Sequence, residues 1–105
     1  MTFNELSAKI MEQAANKGFG VKPEDVIVAE KIALIHSEVS EAFEAYRRNN
    51  IDGKDGFKEE LGDILQRVMH LGAIFGFNLE DEVLKKLEAN QKRTWPWEKM
   101  NENHS

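Results

Sequence analysis

Apolar residues recur every three or four positions along most of the chain, and this repeat constrains the fold more than any other feature. Such a period places apolar side chains on one face of a helix, whereas a strand needs alternation with a period of two, which no useful stretch shows. We therefore predict an all-α fold without a sheet, in the form of a four-helix bundle-like protomer.

Capping and turn residues predict where the helices begin and end. Thr2 and Glu5 have the spacing of a capping box, Gly18 suits a helix end, and Pro23 suits the first turn of the next helix. The segment 49–56 is rich in Asn, Asp and Gly and predicts a turn. The first three predicted helices span about residues 3–17, 24–48 and 57–76, and the third ends at Gly76. Asn78 caps a fourth predicted helix, which continues to about residue 93.

The length of 105 residues suits one domain. We place this domain at residues 1–93, and a C-terminal arm at residues 94–105 follows it. Trp95 and Trp97 lie in this arm, and we expect them to dock on a partner subunit rather than stack on a base. The chain has no cysteine, which excludes disulfides, thiolate zinc sites and cysteine nucleophiles.

The net charge is −5, and the basic residues are not clustered, so binding to a nucleic acid polymer is not expected. The first residues lack the basic and apolar regions of a secretory leader, and no apolar run approaches 18 residues. We therefore expect a cytoplasmic protein that does not enter a membrane.

Two pairs of acidic residues point to chemistry. Glu38 and Glu41 are three residues apart in the second predicted helix, and Glu60 and Asp63 have the same spacing in the third. At about 100° per residue, each pair lies to the same side of its helix's apolar stripe, so the two pairs can face each other. Four converging carboxylates repel one another unless a cation or protons neutralise them. A divalent metal ion is the simplest way to do so.

The ligand type indicates which metal. Carboxylate oxygens without a nearby thiolate favour Mg²⁺, with Mn²⁺ as a possible substitute. The Glu-x-x-His signature of di-iron bundles is absent, because Ala33 and Arg67 stand three residues before His36 and His70. Mg²⁺ held by carboxylates retains positions for water and substrate phosphate, which suits phosphoryl or nucleotidyl chemistry.

Other polar positions have two interpretations each. Lys31 lies on the line of Glu38, two turns earlier, where it can meet a phosphate or form an ion pair. Asn90 falls on the apolar stripe of the fourth helix, where it needs a ligand, a metal or a buried capping role. Either carboxylate pair alone would also fit a solvated helix face.

The acidic motifs resemble those of a known family. Glu38-x-x-Glu41, a spacer of 18 residues and Glu60-x-x-Asp63, within the local segments 34–42 and 59–65, look like the MazG-type all-α nucleoside triphosphate pyrophosphatases. The resemblance covers roughly residues 25–93. It implies a dimer or tetramer that binds Mg²⁺ through the four acidic residues and cleaves a nucleoside triphosphate to monophosphate and pyrophosphate.

The fourth helix carries a second resemblance. Lys86-x-x-x-Asn90-x-x-Arg93 is similar to the family's C-terminal Lys/Asn/Arg pattern, which implies that these residues lie near the substrate phosphates or the metal. Many members also have Glu directly before the first motif acid, where this chain has Ser37. The departure leaves the four expected ligands intact and removes any role for an additional acid.

These observations favour a Mg²⁺-dependent nucleotide pyrophosphohydrolase that is a homo-oligomer, because the second helix has apolar residues on two faces. We expect Glu38 and Glu41 to be catalytic, with Glu41 orienting the attacking water, and Lys31, Lys86 and Arg93 to neutralise the triphosphate. A deoxynucleotide or damaged nucleotide, removed to sanitise the nucleotide pool, is the expected substrate. The alternative is a non-catalytic helical interaction module, which would need no metal and would tolerate Asp63→Asn.

Overall fold

The computed structural model describes residues 1–97 and shows four α-helices and a short 3₁₀ helix, with no strand among those residues. The all-α prediction is confirmed. None of the helices in this range combines the length and the apolar composition that crossing a lipid bilayer requires. The helices are α1 (Phe3–Lys17), α2 (Val28–Arg47), α3 (Phe57–Ile74) and α4 (Leu79–Lys92), and the 3₁₀ helix spans Pro23–Asp25.

The predicted bounds of α1 are confirmed. Thr2 Oγ1 accepts a hydrogen bond from the Glu5 backbone N–H at 3.1 Å, which satisfies one of the free donors of the first turn. At the other end Gly18 has a left-handed backbone, with φ of 76°, and its N–H bonds to the last carbonyl groups of the helix. Local capping chemistry therefore fixes where this helix begins and ends.

The predicted start of α2 at residue 24 is wrong. Pro23 does begin a helical turn, but it is a 3₁₀ turn that ends at Asp25, and the next residue, Val26, has an extended backbone. The Asp25 side chain accepts a hydrogen bond from the Val21 N–H at 3.1 Å and so stabilises the connection instead of continuing the helix. The α-helix begins only at Val28.

The two longest helices, α2 and α3, pack antiparallel and form the centre of the protomer. Tyr46 contacts Phe57 close to their connection, and Glu38 contacts Arg67 further along both helices. Small side chains allow this close approach. The buried apolar residues of the described chain are Ala14, Ala42, Ala45, Met69 and Ile74.

The other two helices pack around this pair to different extents. Helix α1 packs on α3, whereas α4 packs mainly on α1. Leu79 at the start of α4 lies so close to Gly72 that a Cβ atom at Gly72 would come within 2.7 Å of Leu79 Cγ. A side chain at Gly72, in the last turn of α3, would therefore force Leu79 to shift.

A single protomer leaves much apolar surface open. Phe43 and Tyr46 on α2 are each 60% exposed, and Val83 and Leu87 on α4 are exposed as well. The radius of gyration is 17.4 Å, against about 13 Å for a compact chain of this length. The protomer does not cover its own apolar faces.

The described part of the C-terminal arm shows two stacked tryptophans. The rings of Trp95 and Trp97 have centroids 5.0 Å apart, and the Arg93 guanidinium lies 4.1 Å from the centre of the Trp95 ring. Residues 98–105 of the predicted arm lie outside the described residues.

Candidate metal centre

Three of the four motif carboxylates meet where α2 packs on α3. Glu38 comes from the middle of α2, and Glu60 and Asp63 come from the first two turns of α3. One carboxylate oxygen of each lies within 4.8 Å of those of the other two. The i,i+3 spacing places the two α3 acids on one face, and the antiparallel packing brings Glu38 to them.

Glu41 is placed differently from these three. It is exposed and is not part of the group of three oxygens. It lies close enough to hydrogen-bond with Glu38, which helps to lower the pKa of Glu38, and its charge helps to raise that of Glu60. Glu41 therefore stands at the rim of the cluster, and its role as a ligand stays a prediction.

Glu60 is the buried member of the cluster, with 6% of its surface exposed. Hydrogen bonding to Glu38, burial and the negative charges of Glu38, Glu41 and Asp63 raise the pKa of Glu60 to about 7. Its Oε2 atom is buried and has no hydrogen-bond partner among residues 1–97. A buried, unpartnered carboxylate oxygen is destabilising unless a proton or cation accompanies it. The hard oxygen donors present here fit Mg²⁺ or Mn²⁺.

Glu38 is held in its charged form. Burial by itself raises the pKa of Glu38, but hydrogen bonds from Glu60 and Arg67 and the positive charge of Arg67 outweigh it, so the pKa lies below its ordinary value. The Arg67 Nε atom donates to Glu38 Oε1 at 3.1 Å. The carboxylate of Glu38 is therefore available as an ionised ligand.

Arg67 is a residue of the site that the sequence analysis did not select. In the sequence it stands three residues before His70, where a di-iron site would need Glu. The available signal was its position four residues after Asp63, which places it on the same face of α3. That spacing alone does not predict a contact with α2.

A cavity of about 430 Å³ adjoins the cluster. Its lining includes two acids of the cluster, Glu38 and Asp63, and two cations, Lys31 and Arg67. The structure thus brings Lys31, predicted from the sequence to meet a phosphate or an ion-pair partner, to the same cavity as the acids. Paired acids and cations suit a metal with an anionic ligand.

The cavity also has uncharged lining residues. They include the Phe19 ring, the apolar residues Ile10 and Leu34, and the amides of Gln13 and Gln66. The cavity therefore offers a flat ring and neutral hydrogen-bonding groups as well as charged ones.

A contact from α3 holds the loop that carries Phe19. His70 Nε2 lies 2.9 Å from the Gly20 carbonyl oxygen, which can only accept, so the nitrogen donates. Gly20 has φ of 98°, and a Cβ atom there would lie 2.7 Å from Val26 Cγ1, so no other residue fits well. This contact gives His70 a structural role in the protomer.

The three predicted substrate residues of α4 do not reach the cluster within one protomer. Lys86, Asn90 and Arg93 are all exposed and none of them lines the 430 Å³ cavity. The exposure of Asn90 removes the buried-cap interpretation for a single protomer. A separate cavity of about 440 Å³ at the start of α4 contains Asp81 and Lys85 and no motif carboxylate.

Comparison with known proteins agrees with the geometry. A family model described as the MazG nucleotide pyrophosphohydrolase domain matches residues 28–95, which include α2, α3, α4 and all four motif acids. No curated protein and no solved structure matches the chain. The matched residues make up more than half of the 105 in the sequence. The chain therefore belongs to the MazG nucleotide pyrophosphohydrolase family.

Proposed function

We propose that the protein is a Mg²⁺-dependent hydrolase that converts a nucleoside triphosphate to the monophosphate and pyrophosphate. The observation that carries this proposal is the meeting of Glu38, Glu60 and Asp63 around a buried, unpartnered oxygen, beside a cavity that Glu38 and Asp63 help to line. That cavity has the size and neutral polar groups of a small-molecule pocket. Membership of the family supports the reaction class.

Glu38, Glu60 and Asp63 would hold Mg²⁺, or Mn²⁺ in its place, with Glu41 joining from the rim. The metal would supply positive charge for the phosphate oxygens and would lower the pKa of a bound water. We assign to Glu41 the orientation of the attacking water, because it is exposed and adjacent to the cluster. Glu38 shares the catalytic role through its charged carboxylate.

The substrate would lie in the cavity, with its phosphates beside the carboxylates and cations and its nucleoside beside the uncharged residues. Lys31 would neutralise phosphate charge. The Phe19 ring could stack on a base, and the amides of Gln13 and Gln66 could hydrogen-bond to it. We propose a deoxynucleoside or damaged nucleoside triphosphate and a role in sanitising the nucleotide pool, which would place the enzyme in the cytoplasm.

The active species would be a homodimer or homotetramer. The exposed apolar faces of α2 and α4 and the large radius of gyration support association. Lys86, Asn90 and Arg93 would then act on the substrate of a neighbouring subunit, since they do not line the cavity of their own.

A pyrophosphate-release screen tests this function. Canonical and modified nucleoside triphosphates would be incubated with and without Mg²⁺, using the native protein, Asp63→Asn and a matched control, Glu44→Gln, whose carboxylate pairs with surface arginines. We expect Mg²⁺-dependent pyrophosphate release, lowered about 100-fold or more by Asp63→Asn and unchanged in the control. Failure to hydrolyse any nucleotide would reject the proposal and favour the interaction module.

A further inference from the structure

One ion pair of the protein lies inside the carboxylate cluster. Arg67 Nε donates to Glu38 Oε1 at 3.1 Å, and the Glu38 side chain is only 14% exposed. Every other ion pair within residues 1–97 joins exposed side chains at the surface, such as Arg47 with Glu44. The guanidinium of Arg67 therefore serves as the local positive charge for an acid that also belongs to the metal-binding group.

The same guanidinium has room to move. The Arg67 side chain is 40% exposed and lines the same cavity as Lys31 and Asp63. Its flexible stem allows the head group to leave Glu38 and turn into the cavity without a backbone change. Arginine binds phosphate well because its planar fork can donate two parallel hydrogen bonds.

We propose that Arg67 is an internal counter-ion that holds Glu38 in the metal-free protein and turns to a substrate phosphate once Glu38 binds a divalent ion. The inference rests on the proposed function of this site. A guanidinium and a divalent cation compete for the same carboxylate, and a displaced Arg67 is then free to donate to a phosphate in the cavity. Arg67 thus opposes metal binding in the absence of substrate and favours phosphate binding in its presence, so the two effects have opposite signs.

The first test measures metal affinity without nucleotide. Mg²⁺ and Mn²⁺ would be titrated calorimetrically at pH 8 into the native protein, Arg67→Met and a matched control, Arg47→Met, which removes a surface arginine. We expect Arg67→Met to bind metal roughly three- to ten-fold more tightly, because the competing charge is gone. The control should bind as the native protein does.

The second test measures phosphate affinity at saturating Mg²⁺, with inorganic tripolyphosphate as the probe. We expect Arg67→Met to bind it about ten-fold or more weakly than the native protein and the Arg47→Met control. Tighter metal binding together with weaker tripolyphosphate binding supports the proposal. Metal binding that is unchanged or weaker in Arg67→Met overturns it, and so does unchanged tripolyphosphate binding.

A spectroscopic measurement needs no loss-of-function variant. The Arg67 Nε–H resonance of the native protein would be assigned by its absence in Arg67→Lys and followed during Mg²⁺ addition. We expect it to shift as the bond to Glu38 breaks. If Arg67→Met does not fold, the Arg67 Nε–H resonance of the native protein tests the proposal instead. A shift on Mg²⁺ addition supports the proposal, and a stationary resonance overturns it.

Failure of the proposed function gives a different result. A native protein that binds neither Mg²⁺ nor Mn²⁺ would reject the metal site and the Arg67 proposal together. A native protein that binds metal, with no gain in Arg67→Met, would reject the Arg67 proposal alone.

Discussion

Glu60 of α3 lies beside Glu38 of α2, and the hydrogen bond between their carboxyl groups is the largest cause that raises the pKa of Glu60 to about 7. The two acids therefore need a proton between them when no cation is present. One carboxylate oxygen of each, together with one of Asp63, lies close enough to serve one metal ion. Protons and divalent cations should compete for this cluster.

The stability of the metal-free protein should fall as the pH rises from about 4.5 to about 7. The pKa of Glu60 rises from 4.5 in the unfolded chain to about 7 in the fold, so within this window only the folded state retains the proton. Glu38 has a lowered pKa, and its stabilising contribution is lost only as the pH falls below this window. Melting temperatures with a chelator present should show the decline, and Glu60→Gln should reduce it. An equal slope in Glu60→Gln would contradict this assignment.

Adding millimolar Mg²⁺ or Mn²⁺ should raise the melting temperature by several degrees, because the folded state alone brings the carboxylates together. The increase should be larger at pH 8 than at pH 6, where protons compete at Glu60. Glu38→Gln or Asp63→Asn should abolish it and leave the helical circular dichroism intact. The Glu44→Gln control should retain it. A full increase in both site variants would show that the metal binds elsewhere.

Light scattering should give two or four times the 12.0 kDa mass of one chain at micromolar concentration. Phe43→Asp should shift the mass toward one chain, because Phe43 is 60% exposed on the apolar face of α2. Val21→Asp, a matched change in the connection before α2, should leave the mass unchanged. A native mass of one chain would refute association.

The sequence predicted those features that depend on local geometry. The Thr2 and Gly18 caps determine α1, and the i,i+3 spacing places Glu60 and Asp63 on one face. Because the offset from the apolar stripe is matched in α2 and α3, the meeting of Glu38 with these acids could also be predicted.

Features that depend on how whole helices pack against one another could not be predicted from the sequence. The contact between Arg67 and Glu38 requires the relative rotation of α2 and α3, which no local spacing specifies. The same rotation leaves Glu41 at the rim. The start of α2 depends on a competition between the Asp25 side chain and the helix backbone, and Asn90 is exposed because α4 packs lightly on the rest of the protomer.

The bond that is cleaved tests the central claim most directly. The hydrolysis of a preferred nucleoside triphosphate should be run in ¹⁸O-labelled water with Mg²⁺, and the products analysed by mass spectrometry. Water attack at the α-phosphorus, with pyrophosphate leaving, should place the label in the nucleoside monophosphate and give unlabelled, intact pyrophosphate. A label in pyrophosphate would mean attack at the β-phosphorus, and orthophosphate as the primary product would contradict the pyrophosphohydrolase assignment.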